Sequence, residues 1–599
     1  MKVDFNLLTI RYQKRFQNKG FIQKENSGLD TETYKGYAKL ICDNTGDYKE
    51  IENFDDVVKF LARAKYRGKY NWFFNIAFDF EALVKHLDYG ELLSLYHDKE
   101  IMYGDRIKIK YIPKKYFVIQ DKSNNNYYFY DMHNFLEGSL NTASQKFLND
   151  KKDSDIIDSA RLNIDWQYWI DNRENIIKYC IKDAYLTKRL ADYFWNIVYT
   201  KLNFYPKTPM SKGKLSEEYF LHTCKIPTIN DISEKVLKYA YSSFYGGHFE
   251  ILKRGYFDKV YSYDIKSAYP SIIAELIDFN KGKWDKVDAL HESAHSGFYL
   301  CKIESMEKNF SPFMQKIGGS QGLNVYPNGK FKQYLTKEEI EFYRLRFPNN
   351  SIKIENGYEF YPKNEVKPFK EEIERLYHWK ETEQDKDIKY CVKIILNSLY
   401  GKTIQVSGTG NQTGKLFNPI YAAKITAGAR IKILDLAMQK PENVISFSTD
   451  SVCCNEKLNV PLNPKLGEFQ LDFNGEGVFI MSDVYHLWDL EQKKEKSKIR
   501  GFSLVSAKDM EDDTTYLKDI LASMSGTEYK YMTIRPDHLG ECIMHRKTKT
   551  IKDNLNIFSE HEKTININGD NKRVWEKMFS SGKVCLKECH DSYPIMIGV

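Results

Sequence analysis

Alternating apolar and polar positions in the second half of the chain predict strand segments that end at aspartates. Residues 260–265 are rich in β-branched and aromatic side chains, and Asp264 lies near their end. Asp450 lies in a Ser/Thr/Asp turn between the apolar runs 444–447 and 452–454. The pattern therefore predicts one carboxylate at a strand end and one at the tip of a hairpin.

A helical period predicts a third element between these two aspartates. Lys389, Lys393, Asn397 and Tyr400 recur at a spacing that places them within about 80° of arc on one helix face. Two ammonium groups, an amide and an aromatic ring on a rigid face favour binding of a triphosphate. Phosphoryl transfer also needs two divalent ions roughly 4 Å apart, which carboxylates can hold. Together the three segments predict a nucleotidyl-transfer site.

Strand and helix patterns alternate to about residue 190 and carry a second acidic set. Its members are four carboxylates and one phenol: Asp30, Glu32, Asp79, Asp183 and Tyr179. Asp30 and Glu32 are two residues apart in a strand pattern, so their side chains point to one face. Tyr179 precedes Asp183 by one turn of a helix predicted over 175–196. This set fits a second metal centre, where a water is held for attack on phosphorus.

Length and charge limit the class of protein. A chain of 599 residues is too long for one core and should form several domains. The net charge of +7, from 89 basic and 82 acidic residues, suits acidic clusters with local basic channels more than a uniformly cationic binder. The aromatic fraction of 15%, with 43 tyrosines, suits stacking on nucleic-acid bases.

Cysteine usage and hydropathy bear on location. Ten cysteines at irregular spacings are typical of reduced thiols in a cytosol. The first residues lack a cleavage-like region, and no run of about 18 apolar residues occurs. We expect a protein that is not secreted and does not interact with membranes.

The segments 263–271, 393–401 and 446–451 resemble motifs A, B and C of family B DNA polymerases. Their spacing resembles the protein-primed branch found in phages and linear elements, and residues 419–430 resemble the palm helix that precedes motif C there. The resemblance implies a mixed α/β multidomain fold. An RNase H-like exonuclease domain of the DEDD type would precede a right-hand polymerase core of palm, fingers and thumb.

By this resemblance, Asp264, Asp450 and the backbone carbonyl of Ile265 bind the polymerase metal ions. The residues expected to bind the incoming dNTP are Tyr269, Lys389, Lys393, Asn397 and Tyr400. Tyr269 would also be the steric gate, because a ring under the sugar leaves no room for a 2′-hydroxyl.

The acidic set in the first third resembles the three Exo motifs of 3′–5′ proofreading exonucleases. Asp30, Glu32, Asp79 and Asp183 would then hold two further ions, and Tyr179 would orient the water. The implied cofactor is Mg²⁺, or Mn²⁺, with two ions in each active site.

The resemblance divides the chain into seven regions. We expect an exonuclease domain at 1–196, a linker and first palm part at 197–275, an insertion resembling terminal protein region 1 at 276–370, fingers at 371–402, a short remnant of the second insertion at 403–417, a second palm part at 418–505, and a thumb or C-terminal region at 506–599. Within the second region, residues 197–240 are polar and punctuated by prolines, which predicts a linker. The second insertion supports strand displacement in that family, so its shortness predicts stalling at a downstream duplex.

Several positions are expected to contact DNA. Residues 243–248 resemble a Tyr-x-Gly-Gly motif that touches template DNA, with Phe244 in place of the tyrosine. The paired glycines Gly246 and Gly247 would let the backbone approach a phosphate closely. In the C-terminal region, a basic segment at 545–552 is equally consistent with phosphate contacts and with a solvated loop.

Two positions depart from the family pattern. Ser448 replaces a further aspartate of motif C, and Asp483 replaces the lysine of the Lys-x-Tyr element that contains Tyr485. Lys498 or Arg500 would then stabilise the primer terminus in place of the missing lysine.

We therefore expect a DNA-directed DNA polymerase with a proofreading exonuclease, located in the cytoplasm of the host cell of a virus or mobile element. The expected partners are template and primer DNA, dNTPs, a terminal protein that supplies the priming hydroxyl, and a single-strand-binding protein. Two alternatives stay open. One is a polymerase that extends nucleic-acid primers or primes itself, and the other is a catalytically weak DNA-binding replication scaffold.

Overall fold

A computed structural model gives the fold of nine stretches of the chain. It describes residues 3–14, 23–104, 106–153, 155–318, 322–407, 410–489, 491–499, 517–544 and 551–598. The described residues form a mixed α/β structure with three large sheets and two small hairpins. Among these residues, no helix combines the length and the apolar character needed to cross a bilayer.

The N-terminal sheet has eight strands with helices around it. Its strand order is Tyr48–Glu50, Tyr37–Asp43, Asn26–Tyr34, Tyr70–Phe73, Asn126–Asp131, Tyr116–Gln120, Ile107–Ile112 and Glu100–Tyr103. The associated helices are Phe54–Leu61, Ile76–Val84, Tyr89–Asp98, Leu140–Leu148, Ser159–Leu162, Trp166–Asp171 and Arg173–Leu202. The last helix packs so closely on the central strand that a Cβ at Gly28 would lie 1.9 Å from the carbonyl oxygen of Ala184. Gly28 therefore sets the distance between two of the three elements that carry the acidic set.

The second sheet has nine strands from distant parts of the chain. Along its main path the order is Lys494–Ile499, Val484–Asp489, Phe469–Met481, Lys253–Ile265, Ser451–Cys454, Val444–Thr449 and His248–Ile251. The other two strands are Cys589–Pro594, which pairs with Lys253–Ile265, and Arg573–Trp575. Two helices flank this sheet: Ala268–Glu275 and Pro419–Ala437.

The predicted insertion contains its own sheet. The strands are Gly282–Val287, Ser351–Pro362, Ser296–Ser305, Asn328–Thr336 and the C-terminal Met596–Ile597, with helix Lys337–Arg346 and the hairpin Gln315–Ile317/Leu323–Val325 beside them. Three helical segments follow: Lys370–Thr382, Lys386–Ser398 and Tyr400–Thr403. Four of the five strands thus come from one stretch of the chain and the last from its C-terminal end, and the assignment of this stretch as an insertion stays a prediction.

The prediction that 197–240 is a polar linker is wrong. This stretch forms the helices Lys212–Thr223 and Glu234–Ser242. Leu215, Tyr219 and Phe220 are buried in the largest core of the molecule, which also includes residues of helix Lys386–Ser398. Prolines at 206, 209 and 227 punctuate the ends of these helices, while the apolar residues between them supply core contacts.

The expected remnant of the second insertion is short, and the N-terminal segment pairs with it. Val406 and Thr413 form an antiparallel bridge. The amide of Thr413 donates to the carbonyl of Thr9, and that of Thr9 donates to the carbonyl of Asn411. Residues 3–14 therefore support this connection from outside. The stalling expected from its shortness stays a prediction.

The C-terminal region is divided between two parts of the molecule and is not one separate unit. Its strand Cys589–Pro594 belongs to the second sheet, while the hairpin Glu528–Pro536/Phe558–Asn566 stands apart. The helices Leu539–Met544 and Ile551–Asn554 lie within that hairpin's connection. Of the predicted basic segment, residues 545–550 lie outside the described residues.

This hairpin connection docks on the helix Ile76–Val84. Nδ1 of His538 lies 2.9 Å from a carboxylate oxygen of the buried Glu81. Nζ of Lys85, which is 1% exposed, donates to the carbonyl of Leu555 at 2.6 Å. Burial lowers the pKa of Lys85 to about 8. The C-terminal region is thus fixed to the N-terminal domain by buried polar contacts.

We expect this docking to weaken as pH rises. The hydrogen bond to Glu81 raises the pKa of His538. Burial and the charge of Lys114 lower this pKa by smaller amounts, and the charge of Glu541 raises it slightly. Because the pKa of His538 is higher in the folded than in the unfolded protein, the contact contributes its full stability below the unfolded-state pKa of about 6.5. That contribution is lost as pH rises through the folded-state pKa. Amide hydrogen exchange of residues 538–544 should therefore be faster at about pH 8.5 than expected from the pH dependence of exchange in an unstructured peptide. Glu81→Gln should remove this excess; an excess that survives in Glu81→Gln contradicts the assignment.

Candidate active sites

The structure brings Asp264 and Asp450 together at the centre of the second sheet. Asp264 lies near the end of strand Lys253–Ile265, opposite Ser451 in the adjacent strand. The amide of Ile265 donates to the carbonyl oxygen of Asp450 at 3.1 Å. Both aspartates line one open cavity of about 530 Å³. The strand end and the hairpin tip are where the sequence predicts them.

Burial and mutual repulsion act on these carboxylates. Burial, then the charges of Asp450 and Asp472, raises the pKa of Asp264 to about 7. Burial also raises the pKa of Asp450. Such carboxylates become ionised readily when a divalent cation binds between them, because the cation replaces the lost solvation. The donor set therefore fits hard oxygen-binding ions.

A cationic helix face closes the other side of the cavity. Lys389, Lys393 and Asn397 lie along helix Lys386–Ser398, have exposed side chains, and line the same cavity as the aspartates. Among the described residues, neither lysine has a carboxylate partner. Both ammonium groups are thus available to an anionic ligand.

Tyr269 and Tyr400 form an aromatic pair beside this face. Their ring centroids are 4.3 Å apart, and Tyr269 lines the cavity. The single helix predicted through residue 400 is wrong in detail, because the helix ends at Ser398 and Tyr400 begins a separate turn. The break does not remove Tyr400 from the site, since its ring still reaches Tyr269.

Sequence reasoning missed Lys380, one of two further lysines that line this cavity. Nζ of Lys380 donates to Oγ of Ser267 at 3.0 Å and pairs with Glu381 at 3.1 Å. Ser267 has a left-handed φ of 49°, a costly conformation for a residue with a side chain. Lys380 belongs to a highly charged helix, Lys370–Thr382, whose sequence looks like a solvated surface. Only its position nine residues before Lys389 could have indicated it.

The two positions that depart from the family pattern contact each other. Oγ of Ser448 donates to Oδ1 of Asp483 at 2.6 Å, and Nζ of Lys498 lies 2.7 Å from the same oxygen. Lys498 also acts to lower the pKa of both Asp264 and Asp450. Serine, aspartate and lysine therefore form one network whose charge reaches Asp264 and Asp450. The neighbouring Tyr485 is buried, and Arg500 lies outside the described residues.

The paired glycines support the turn that carries Asp450. A Cβ at Gly247 would lie 2.7 Å from Cγ2 of Thr449, whereas one at Gly246 would meet nothing within 4 Å. Thr449 has a left-handed φ of 64°, directly before Asp450. The buried Arg430 donates to the carbonyl oxygens of Tyr245 and Gly246, at 3.0 and 2.6 Å. Gly247 thus has a packing reason that the sequence did not reveal. Phe244 packs on the largest core.

The second acidic set also comes together. Asp30, Glu32, Asp79, Asp183 and Tyr179 all line one cavity of about 830 Å³. Asp30 and Glu32 lie on strand Asn26–Tyr34, Asp79 on helix Ile76–Val84, and Tyr179 and Asp183 on helix Arg173–Leu202. Phe558 of the C-terminal hairpin lines the cavity as well. The four carboxylates therefore converge from three elements, as predicted.

Their electrostatics indicate a site built for cations. Burial is the main cause that raises the pKa of Glu32 to about 8, of Asp79 to about 7 and of Asp183 to about 6. Burial and the neighbouring carboxylates also raise the pKa of Asp30 strongly. Oδ1 of Asp183 is buried without a hydrogen-bond partner, so it is an acceptor that a metal ion can satisfy. This donor set fits divalent ions.

A lysine that sequence reasoning missed balances part of this charge. Lys152 pairs with Asp183, and its Nζ lies 4.9 Å from the centroid of the Tyr179 ring. Although burial opposes it, the charges of Asp183 and Asp30 raise the pKa of Lys152. The lysine stands in a charged loop that resembles solvated surface, and no sequence signal separates it from Lys151.

We expect Gly247→Ala to destabilise the turn before Asp450. The added methyl would meet Thr449 at less than 3 Å, and such overpacking typically costs about 1–3 kcal/mol. The matched control is Gly246→Ala, whose methyl meets open space and should change stability by less than about 0.5 kcal/mol. Thermal unfolding and hydrogen exchange of residues 446–453 measure both effects. Equal behaviour of the two variants would argue against this packing role.

Comparisons with known proteins give the family and the fold of the chain. Residues 61–408 match the family described as DNA polymerase type B, organellar and viral. The DNA polymerase of Acidianus bottle-shaped virus (isolate Italy/Pozzuoli) is 27% identical over 284 residues, which are 43% of this chain and 40% of that protein. A probable DNA polymerase of Ascobolus immersus is 24% identical over 441 residues, which are 64% of this chain and 35% of that protein. The chain thus covers less than half the length of these curated relatives.

Solved structures of similar fold include two of Phi29 DNA polymerase. The polymerase in its ternary complex with primer-template DNA and incoming nucleotide substrates is 14% identical in sequence, with a TM-score of 0.59. The match covers 91% of this chain and 100% of that chain. The binary complex with primer-template DNA is 15% identical, with the same TM-score and coverage. These similarities confirm the α/β multidomain fold. Because the family model spans more than half of the residues, the chain belongs to the type B DNA polymerases of organelles and viruses.

Proposed function

We propose that this chain is a template-directed DNA polymerase with a proofreading 3′–5′ exonuclease, which replicates a viral or linear-element genome. The observation that carries the proposal is the pairing of two separate carboxylate centres, of which one faces a helix with two unpaired lysines. The lysine face suits a nucleoside triphosphate. In the described part of the chain, the other centre has no such lysine face, since its Lys152 is paired with Asp183, and it suits hydrolysis.

In the synthetic reaction, the 3′-hydroxyl of a primer attacks the α-phosphate of a dNTP, and pyrophosphate leaves. Two divalent ions, Mg²⁺ or Mn²⁺, would be held by Asp264, Asp450 and the carbonyl of Ile265, and would stabilise the attacking and leaving oxygens. Lys389, Lys393 and Asn397 would bind the triphosphate. These positions follow from one rigid helix face, which can orient the leaving group without rearrangement.

The aromatic pair would bind the sugar and base of the incoming nucleotide. Tyr269 packs against Tyr400, so a sugar placed over this ring meets a fixed wall. A fixed wall excludes a 2′-hydroxyl by its volume, and this supports Tyr269 as the steric gate.

In the hydrolytic reaction, water attacks the last phosphodiester of a DNA strand, and a mononucleotide leaves. Asp30, Glu32, Asp79 and Asp183 would hold the ions that activate this water. Tyr179 would orient the water, and Lys152 would keep the phenol and Asp183 in position. The proximity of the lysine to both groups supports this role.

Initiation on a terminal protein is the finer part of the proposal. A separate sheet at 282–362 lies at the place of the insertion that contacts the priming protein in similar polymerases. The alternatives are extension of nucleic-acid primers and a non-catalytic scaffold. One assay separates all three: the chain is given dNTPs and Mg²⁺ with either a candidate terminal protein or a DNA primer, and Mg²⁺ is left out as a control. Nucleotide addition to the protein indicates protein priming, addition to DNA alone indicates nucleic-acid priming, and addition to neither indicates a scaffold.

We expect the two activities to be lost separately. Asp264→Asn or Asp450→Asn should lower nucleotide addition by about 100-fold or more and leave degradation of single strands intact, because each removes a ligand from one centre only. Asp30→Asn with Glu32→Gln should do the reverse. Primer extension and release of mononucleotides from end-labelled DNA measure the two activities.

The control for folding is the reciprocal activity of each variant. Simultaneous loss of both activities in a folded variant would show that the two centres are not independent. Hydrolysis that persists in the Asp30/Glu32 double variant would refute the exonuclease assignment.

We also expect Lys498→Ala to lower nucleotide addition by about 10-fold, because this ammonium group, held by Asp483, lies near both metal-binding aspartates. Degradation should not change. Lys494→Ala is the matched control, since Lys494 lies on the same strand and bonds to the carbonyl of Asp472. An equal effect of the two variants on primer extension would contradict the role of Lys498.

A further inference from the structure

A fully buried cysteine lies against the second acidic centre. Cys180 follows Tyr179 on helix Arg173–Leu202, and its Sγ donates to the carbonyl oxygen of Asp30 at 3.5 Å. Sγ of Cys180 and one carboxylate oxygen each of Asp30 and Glu32 all lie within 4.8 Å of one another. In the described part of the chain, this is the one cluster of three such donors. None of the roles proposed above uses this thiol.

The charge of Lys152 acts on Asp30 and Glu32 and offsets only part of the repulsion between the carboxylates. Lys152 pairs with one oxygen of Asp183, and the other oxygen of Asp183 is buried with no hydrogen-bond partner. Among the described residues, no side chain donates a hydrogen bond to the carboxylate of Glu32, although Glu32 is only 8% exposed. Unsatisfied buried acceptors are rare in folded proteins, so the unpartnered oxygen of Asp183 indicates a site for a cation beside these carboxylates.

The thiol changes which cation this cluster prefers. Mg²⁺ takes oxygen ligands almost exclusively, whereas Zn²⁺ and Cd²⁺ accept a thiolate together with carboxylates. Donors around one tetrahedral ion of this kind lie about 3.5 Å apart. The three donors here therefore need to approach one another by only about 1 Å. Two carboxylates and one thiolate would leave a fourth position for water.

We propose that Cys180, Asp30 and Glu32 form a binding site for a thiophilic divalent cation, of the class of Zn²⁺ and Cd²⁺, inside the exonuclease centre. Binding forms a bond from the metal to Sγ, breaks the S–H bond, and releases that proton to solvent. The ion occupies carboxylates that hydrolysis needs. It therefore blocks degradation while nucleotide addition at the other centre continues.

The test is a titration of the full chain with Cd²⁺. The Cd²⁺–thiolate bond gives a charge-transfer absorption in the ultraviolet, and calorimetry gives the affinity. We expect the wild type to show a Cd²⁺–thiolate site that is lost in Cys180→Ser and retained in Cys42→Ser, whatever Cd²⁺ binds elsewhere on the chain. Cys42 is the control because it is also fully buried, and its side chain contacts that of Cys180 in a hydrogen bond that serine can keep, yet its own Sγ is outside the donor cluster.

A second variant covers the case in which Cys180→Ser does not fold. Glu32→Gln keeps the thiol and should weaken Cd²⁺ binding by about 10-fold or more, because it removes a charged ligand. The proposal is overturned if Cys180→Ser binds Cd²⁺ as the wild type does, if Cys42→Ser loses the site, or if Glu32→Gln leaves the affinity unchanged. Nucleotide addition in Mg²⁺ serves as the folding control for every variant.

The effect on activity rests on the exonuclease function proposed above. In Mg²⁺, micromolar Zn²⁺ should inhibit degradation by the wild type, and Cys180→Ser should need about 10-fold more Zn²⁺ for the same inhibition. Absence of any degradation in Mg²⁺ would refute the exonuclease function but not the site, because the Cd²⁺ absorption is read without a substrate. Equal inhibition of wild type and Cys180→Ser would overturn the inhibitory role of the thiol.

Discussion

Repulsion between clustered carboxylates is the constraint on which both sites depend. Burial raises the pKa of Asp264 to about 7 and that of Glu32 to about 8, so neither cluster is stable as a fully charged group without cations. Such an arrangement persists only where the backbone is fixed by other contacts. The sheet register at Asp264 and the close packing at Gly28 supply that rigidity. The scaffold therefore stabilises what electrostatics alone would separate.

The supporting contacts come from remote segments of the chain. Arg430 donates a hydrogen bond to the carbonyl oxygen of Gly246, and the next residue, Gly247, packs against the strained Thr449 before Asp450. On the other centre, the helix that carries Asp79 is fixed from behind by Glu81 and Lys85, which contact the C-terminal hairpin connection. Both centres are thus held from outside by buried polar contacts, which are costly to break.

The departures from the family pattern illustrate how charge can be redistributed without loss of a network. Ser448 has no carboxylate, but Asp483 provides one at hydrogen-bonding distance, and Lys498 provides the ammonium group that Asp483 lacks. The loss of a carboxylate at Ser448 and of an ammonium group at Asp483 would each favour the alternative of a catalytically weak scaffold. Their contact is a reason to favour an enzyme, since one altered charge is compensated by the other.

Local residue patterns predicted where the candidate site residues lie, because periodicity and residue type can be read from neighbouring positions. The strand end at Asp264, the hairpin tip at Asp450 and the helix face of Lys389 and Lys393 follow from alternation and from 3.6-residue spacing, and the structure confirms them. Likewise, the strand position of Glu32 predicted its side of the sheet.

Tertiary structure alone decided what lies next to these residues, since contacts between distant segments leave no local pattern. Lys152 and Lys380 stand in charged stretches that resemble solvated surface, and only the fold turns them into the sites. The region 197–240 looked like a linker because prolines dominate its pattern, yet its apolar residues pack on a helix about 180 residues later. Local periodicity predicts a side chain's direction, but which partner it meets depends on long-range packing.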